Sequence, residues 1–326
     1  MRPVTRSDYF KDFGGMSLNV TAHTYADGYR TNIFTVRATN AVADCFLFHG
    51  MLEHHERYHE FASHLAENGF NVYVCDLRGA GALAKEQESY AHLLPNEGFQ
   101  QMVTDAMHVI EQYGNGLPTF VLGHSFGSLL SRRLGQVMGH RLTGVVAISP
   151  PPGSGVIGRI GRFAIDAAIR RKGSDYPSRL FERLLFGRYN LKFLPAKTES
   201  DWISSDPEEV TSYRNDPHCG GLPTLGYLYE VASASLDVTS LPRIHEHPKT
   251  LPLLFVVGAD DPVVHDGEGL KGMVRNYQAA DIEVTVLSYD GARHEVLRET
   301  NRTEVWNDIT AWLLQTTSIP LEKTSI

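Results

Sequence analysis

The chain has 326 residues, 42% of them hydrophobic and 21% charged, enough apolar material for one large α/β domain or about two average ones. Its formal net charge of -8 argues against a nucleic-acid-binding surface, which concentrates Lys and Arg. Three cysteines, Cys45, Cys75 and Cys219, argue against a disulfide framework; "MRPVTRSDYFKDFGG" carries no apolar leader, and no run reaches the roughly 18 apolar residues of a bilayer span, so the expected location is the cytoplasm.

From Leu18 to Arg37 the sequence alternates weakly around "ADG", which predicts a leading antiparallel hairpin. Six short, almost uniformly apolar runs follow: "DCFLFHG", "FNVYVCDLRG", "PTFVLGHS", "LTGVVAISP", "LPLLFVVGAD" and "IEVTVLSYDG". Each ends in Gly or polar residues, as strands buried on both faces do. Between them lie segments of helical period, such as "YHEFASHLAEN", "FQQMVTDAMHVIEQY", "GSLLSRRLGQVM" and "LKGMVRNYQAA", and "EVWNDITAWLLQTT" follows the last strand. This alternation predicts a mostly parallel sheet with helices on both faces, whose ligands bind at the carboxyl ends of the strands. The rhythm breaks at "SPPPGSG"; residues 151–247 read as a mainly helical insertion over the strand ends, dividing a core of 1–150 and 248–326.

Two stretches carry candidate chemistry. "HERYH", His55 to His59, spells the H-E-x-x-H of zinc peptidases, which needs both histidines on one helix, a third ligand and the Glu as general base. Here the pattern falls in the first turn after a loop and no downstream motif marks a third ligand. His54, His55, His59 and His64 are therefore expected to decorate a helix start near the mouth of the site, and no metal or cofactor is assigned. Gly123-His124-Ser125-Phe126-Gly127 sits at a strand end followed at once by a helix, the G-x-S-x-G elbow in its required context. The glycines suit a sharp, crowded turn that raises Ser125 Oγ above the sheet.

A serine hydroxyl needs a base, and the base a third group that holds its tautomer. In this architecture the chain order is Ser, acid, His. "GADDPVV" ends a buried strand with Asp260 and Asp261, and "YDGARHEVL" follows the next with His294. The oxyanion donors are expected from the main-chain N–H groups of Phe126 and of Met51, which follows His49-Gly50.

"HGMLEHHERY", "DLRGAG", "GHSFGS", "GADDPV" and "YDGARHEVLRE" together resemble the serine α/β-hydrolases of the monoacylglycerol lipase and lysophospholipase group over nearly the whole chain. The stretch "DWISSDPEEVTSYRNDPHCG" resembles the lid of bacterial members. The resemblance implies an α/β-hydrolase fold, with Ser125 as nucleophile, His294 as base, Met51 and Phe126 as oxyanion donors, and Asp261 rather than Asp260 as the acid. Two departures stand out: "DLRGAGALA" lacks the Ser that relatives commonly carry there, and Met51 replaces a smaller residue. Relatives with an Asp nucleophile are disfavoured by Ser125.

Within the insertion, "VIGRIGRFAIDAAIRRK" places Arg159, Arg162, Asp166 and Arg170 on one helical face and Val156, Ile160, Phe163, Ala164 and Ala167 on another. Such a helix lies on an anionic membrane or packs its apolar side on the core. The second is the expectation, with an apolar wall turned to the nucleophile. The substrate so implied is a lipid-like carboxylic ester of monoacylglycerol or lysophospholipid type. The rivals are an amidase, peptidase or thioesterase with the same residues, a non-catalytic ligand-binding protein on the same fold, and the zinc peptidase.

Overall fold

The computed structural model describes residues 17–264 and 268–318; the N-terminal stretch read above for a leader, residues 1–15, lies outside them. β1 (Ser17–Thr24) and β2 (Arg30–Arg37) form the expected hairpin, and β2 pairs antiparallel with β4 (Phe70–Cys75). From there every pairing is parallel: β4 with β3 (Ala43–Phe48), β3 with β5 (Thr119–His124), then β6 (Gly144–Ile148), β7 (Leu253–Gly258) and β8 (Val284–Tyr289). The sheet thus runs β1-β2-β4-β3-β5-β6-β7-β8. This is the mostly parallel sheet that the alternation of elements predicts, in the α/β-hydrolase architecture that the resemblance implies.

Alternate residues of one strand feed two cores. Phe46 and Phe48 of β3 pack with α3 (Gly98–Tyr113) and α4 (Phe126–Met138), whereas Cys45 and Leu47 pack with α1 (His59–Glu67) and α11 (Arg302–Thr317). The period of two along a strand sends successive side chains to opposite faces, so a strand covered on both sides reads as an unbroken apolar run. The one acid in β3, fully buried Asp44, accepts from Asn71 Nδ2 at 2.8 Å and Asn115 N at 2.8 Å. Those bonds offset its desolvation.

Two expectations are corrected. β8 is not buried on both faces: it is the sheet's edge, and only Tyr289 of its six residues is buried. The second concerns α5 (Gly155–Lys172), first of the helices between β6 and β7. Its apolar stripe does not pack on the core, for Val156, Ile160 and Phe163 are 69%, 65% and 67% exposed. The inward side is instead Ile165, Ala168 and Ile169, which meet Leu225, Leu228 and Tyr229. After α5 come α6 (Arg179–Phe186), α7 (Pro207–Asn215), α8 (Leu225–Val238) and the short α9 (Leu241–Ile244). α8 buries Tyr227, Ala234 and Val238 in the core shared with α3 and α4, so the outer helices stand on a floor continuous with the main body. Of the remaining helices, α2 (Gly81–Glu86) follows β4, and α10 (Glu268–Gln278) precedes β8. No helix among the described residues is long and apolar enough to cross a membrane.

Successive strands run outward from β3 in opposite directions, β4 to one side and β5 to the other. That reversal opens a crevice beyond the carboxyl ends of β3 and β5. Met51 follows the first strand and Ser125 the second, so topology alone brings them together.

Candidate active site

Ser125 is the residue between β5 and α4, and its backbone is held at φ 49°, ψ -111°. L-residues rarely adopt this left-handed region, and it persists only where the surroundings over-determine it. Here they do. Ser125 N donates to Ile148 O at 2.9 Å, and Ser125 O accepts from Ser128 N at 2.9 Å and Ser128 Oγ at 2.6 Å. A Cβ on Gly123 would lie 2.0 Å from Gly127 O, and one on Gly127 2.2 Å from Phe48 O. Both glycines are therefore required by backbone contact, as the elbow motif anticipates.

His294 comes from the loop after β8 and Asp261 from the turn after β7. His294 Nε2 lies 2.9 Å from Ser125 Oγ and Nδ1 lies 2.9 Å from Asp261 Oδ2. A carboxylate only accepts, so Nδ1 carries the proton and neutral Nε2 is left to accept from the hydroxyl. Asp261 is fully buried and its other oxygen accepts from Val263 N at 2.8 Å. Asp260 faces outward with its side chain 46% exposed, 3.1 Å from Lys192 Nζ. The alternative between the two acids is thus separated by geometry: Asp261 reaches the imidazole and Asp260 points elsewhere.

Phe126 is the first residue of α4, where a backbone N–H has no intrahelical acceptor. Met51 lines the cavity beside Ser125. Its loop is pinned on both sides. His49 Nε2 accepts from Leu77 N at 2.8 Å, which makes Nδ1 the donor to Gly50 O at 2.7 Å. Gly50 N donates to Glu53 Oε1 at 2.6 Å, and a Cβ on Gly50 would collide with that oxygen.

Sequence reasoning missed the buried charge cluster behind these residues. Glu53 Oε1 also accepts from Tyr58 OH at 3.0 Å and His124 Nδ1 at 2.9 Å, and Glu53 Oε2 lies 3.4 Å from Arg57 Nε. Arg57 pairs in turn with Glu295 and stacks over the Tyr213 ring. The second nitrogen of His124 meets the carbonyl of His294 at 3.2 Å. Both ring nitrogens of His124 thus lie within hydrogen-bond distance of acceptors, an arrangement that favours the imidazolium. Burial pulls its pKa down, but the charge and hydrogen bond of Glu53 outweigh burial and raise it. For Glu53 burial opposes ionisation, and His124 and Arg57 together hold its carboxyl well below the usual range. Two acids and two cations balance, which is how charges persist inside a protein. The cluster, with Ser149 Oγ donating to the same His294 carbonyl at 2.5 Å, fixes the backbone that carries the imidazole. The only sequence signal was the string of charges in "EHHERYH", next to a loop already marked for function.

The zinc-peptidase pattern disperses. His55 to Tyr58 form one 3-10 turn and His59 opens α1. His55 Nδ1 donates to Asp76 at 2.9 Å, and His59 lies stacked on Phe34 with ring centroids 3.7 Å apart. Glu56, which would be the base, is exposed. His55 is thus turned to Asp76 and His59 to Phe34, and the two histidines with Glu56 do not form the one-helix arrangement that a zinc peptidase needs.

Ser125 and His294 open into a cavity of about 780 Å³. Its apolar part includes Met51, Leu52, Phe186, Trp202 and Ile203, and its polar part Arg183, Asn190, Glu199 and Arg214. α5 contributes nothing to it, so the apolar wall expected from that helix comes instead from α6 and the segment around Trp202.

A family model described as serine aminopeptidase, S33 (Hydrolase_4) matches residues 39–301. The chain belongs to this family of α/β-hydrolases. Among curated relatives, this Hydrolase_4 member is 28% identical over 272 residues to a monoacylglycerol lipase of Mycolicibacterium smegmatis, covering 82% of this chain and 86% of that protein. The human monoglyceride lipase is 25% identical over 282 residues, with coverage of 84% and 82%. Among solved structures, a carboxyl esterase from Bacillus coagulans in complex with glycerol superposes with a TM-score of 0.85 at 24% identity, covering 92% of this chain and 99% of that one. These findings place the chain in the esterase and lipase branch of the α/β-hydrolases.

Proposed function

We propose that the chain hydrolyses lipid-like carboxylic esters, of monoacylglycerol or lysophospholipid type, through an acyl-enzyme on Ser125. The observation that carries this reading is the continuous relay from Ser125 Oγ through His294 to buried Asp261, at 2.9 Å and 2.9 Å, opening into an amphipathic cavity. Ser125 Oγ attacks the ester carbonyl while His294 Nε2 takes its proton. The carbonyl oxygen becomes an oxyanion facing the N–H groups of Met51 and Phe126, each such donor being worth about 2.7–4 kcal/mol. Collapse breaks the C–O bond, and His294 returns the proton to the leaving alcohol. Water then enters, gives its proton to His294, and the acid leaves as Ser125 recovers its hydrogen.

The segment 151–247 is the proposed lid. Phe186 and Arg183 of α6 line the cavity while Leu180 and Leu184 of the same helix are each 66% exposed. One helix therefore connects the proposed acyl site to an outer apolar face, which we assign to peripheral contact with a lipid surface. The cavity's apolar part suits the acyl chain and its charged part a polar head.

A second reading, cleavage of aminoacyl amides, rests on the aminopeptidase description of the matched family. Rates on monoacylglycerols, lysophospholipids, acyl thioesters and aminoacyl anilides separate the readings. Ester turnover with label uptake from a fluorophosphonate probe is expected, and both should vanish in Ser125→Ala, with kcat down by about 10⁴ or more. An undiminished rate in that variant would sink the proposal, as would anilide cleavage exceeding ester cleavage.

A further inference from the structure

The histidine beside the zinc-like pattern has a different neighbourhood from the pattern itself. His54 is 3% exposed, and its Nε2 meets Asp216 Oδ2 at 2.7 Å across 162 positions of sequence. Cys219 Sγ joins them: one ligand atom from each of the three side chains lies within 4.8 Å of the others. We propose that His54, Asp216 and Cys219 form a three-ligand site for a zinc-like divalent cation at the rim of the catalytic cavity, fastening the turn 216–219 to the loop that carries Met51.

The donor set is one imidazole nitrogen, one carboxylate oxygen and one sulfur, the combination that suits Zn²⁺. Tetrahedral Zn²⁺ with bonds of about 2.0–2.3 Å separates its ligand atoms by roughly 3.3–3.7 Å. The 2.7 Å pair has to open by on the order of 1 Å, and the fourth position is left for water. The scaffold for this already exists. His218 N donates to Asp216 Oδ1 at 2.8 Å, which orients the carboxylate and leaves Oδ2 aimed at His54. Tyr90 OH donates to His218 O at 3.0 Å, and Lys85 Nζ to Pro217 O, so the turn is tied to the main body from below. Gly220 N donates to Leu52 O at 3.0 Å, which sets the turn directly against the residue after Met51. The guanidinium of Arg57 is already matched by Glu53 and Glu295.

Binding costs protons. The Cys219 thiol releases one to solvent, and the proton on His54 Nε2 leaves or moves to Nδ1 so that the lone pair can bind the metal. The site therefore selects ions that displace thiol protons, Zn²⁺, Co²⁺ and Cd²⁺, over Mg²⁺ and Ca²⁺.

Titration of the chelator-treated full chain with Co²⁺ tests this, because a cobalt–thiolate bond gives a near-ultraviolet charge-transfer band that no carboxylate or imidazole produces. One equivalent of band is expected, displaced by Zn²⁺ and unaffected by excess Mg²⁺. It should disappear in Cys219→Ser, persist in Cys45→Ser, and weaken in apparent affinity by about tenfold or more in His54→Gln and Asp216→Asn. Zn²⁺ should raise the Tm of the wild type and leave that of Cys219→Ser unchanged, a comparison that also reports whether the variant is folded. Absence of the band in folded wild type overturns the proposal, and so does a band that survives in Cys219→Ser, which would mean adventitious binding elsewhere. Neither readout depends on turnover, so it is independent of whether esters prove to be the substrate.

Discussion

At the scale of single residues, what distinguishes Asp261 from Asp260 is burial and direction rather than chemistry. The first is enclosed, accepts from Val263 N and faces His294 Nδ1; the second is half exposed. Asp261→Asn would present an amide where the imidazole N–H needs an acceptor, favouring the wrong tautomer, and a loss of about 10⁴ in kcat is expected. Asp260→Asn should change kcat by less than about threefold, since a surface ion pair is worth about 0–1 kcal/mol. Steady-state kinetics of the two variants on one nitrophenyl ester decide between them. His59 offers a pH test. Burial, then the neighbouring His55 and His54, lower its pKa to about 3, and its Nε2 is buried without a hydrogen-bond partner. Below about pH 6.5 the unfolded chain takes up a proton at this position that the folded chain refuses, so stability is lost as pH falls from about 6.5 toward 3. His59→Phe preserves stacking on Phe34 and removes both penalties. Urea unfolding should show it more stable than wild type by about 1 kcal/mol at pH 7 and by up to about 3 kcal/mol at pH 5; an equal acid slope in the two proteins would refute the assignment.

At the scale of elements, α4 and α5 respond oppositely to the same glycine substitution. A Cβ on Gly127 in α4 would lie against the carbonyl of Phe48, so Gly127→Ala forces backbone apart and should cost about 3 kcal/mol or more. Gly161 in α5 has nothing within 4 Å of an added Cβ and an ordinary helical backbone, so Gly161→Ala should gain about 0.5–1 kcal/mol. Thermal or denaturant melts of both variants check the pair. The same contrast explains what was legible beforehand. β3 to β7 could be read because a strand covered on both faces becomes a short apolar run, and the elbow could be read because its glycines answer to backbone contact. β8 looked like those strands because an apolar run does not record whether a second neighbour pairs with it. α5 misled for a related reason: an amphipathic stripe reports a demand for an apolar partner without saying which side of the molecule supplies it. The cluster of Glu53, Arg57, His124 and Glu295 was hidden because charged side chains are surface residues by default, and its members meet only after folding.

At the scale of the whole molecule, charge and apolar exposure are segregated together. Residues 155–197 carry ten of the 30 Lys and Arg but only three of the 38 Asp and Glu, in a chain whose net charge is -8. The same stretch exposes Val156, Ile157, Ile160, Phe163, Leu184 and Leu191, each at 64% or more. A basic face studded with outward apolar side chains on an otherwise acidic body favours one orientation at an anionic bilayer: cations near head groups, at about 1 kcal/mol each, apolar residues below them, and the acidic remainder repelled. The prediction is therefore directional. Catalytically silent Ser125→Ala protein should co-sediment with phosphatidylglycerol vesicles at low ionic strength and much less with phosphatidylcholine vesicles. Raising salt to about 1 M, where the Debye length is near 3 Å, should release most of it by screening the cations while leaving apolar contacts intact. Ile157→Glu together with Phe163→Glu should weaken binding at every salt concentration, since it removes burial and adds repulsion. In the active protein the same pair should slow hydrolysis of ester in vesicles while sparing a soluble short-chain ester, whose route to Ser125 does not involve α5. Equal partitioning onto neutral and anionic vesicles would show that the segregated charge has no part in docking, and equal loss on both kinds of ester would trace the defect to the cavity.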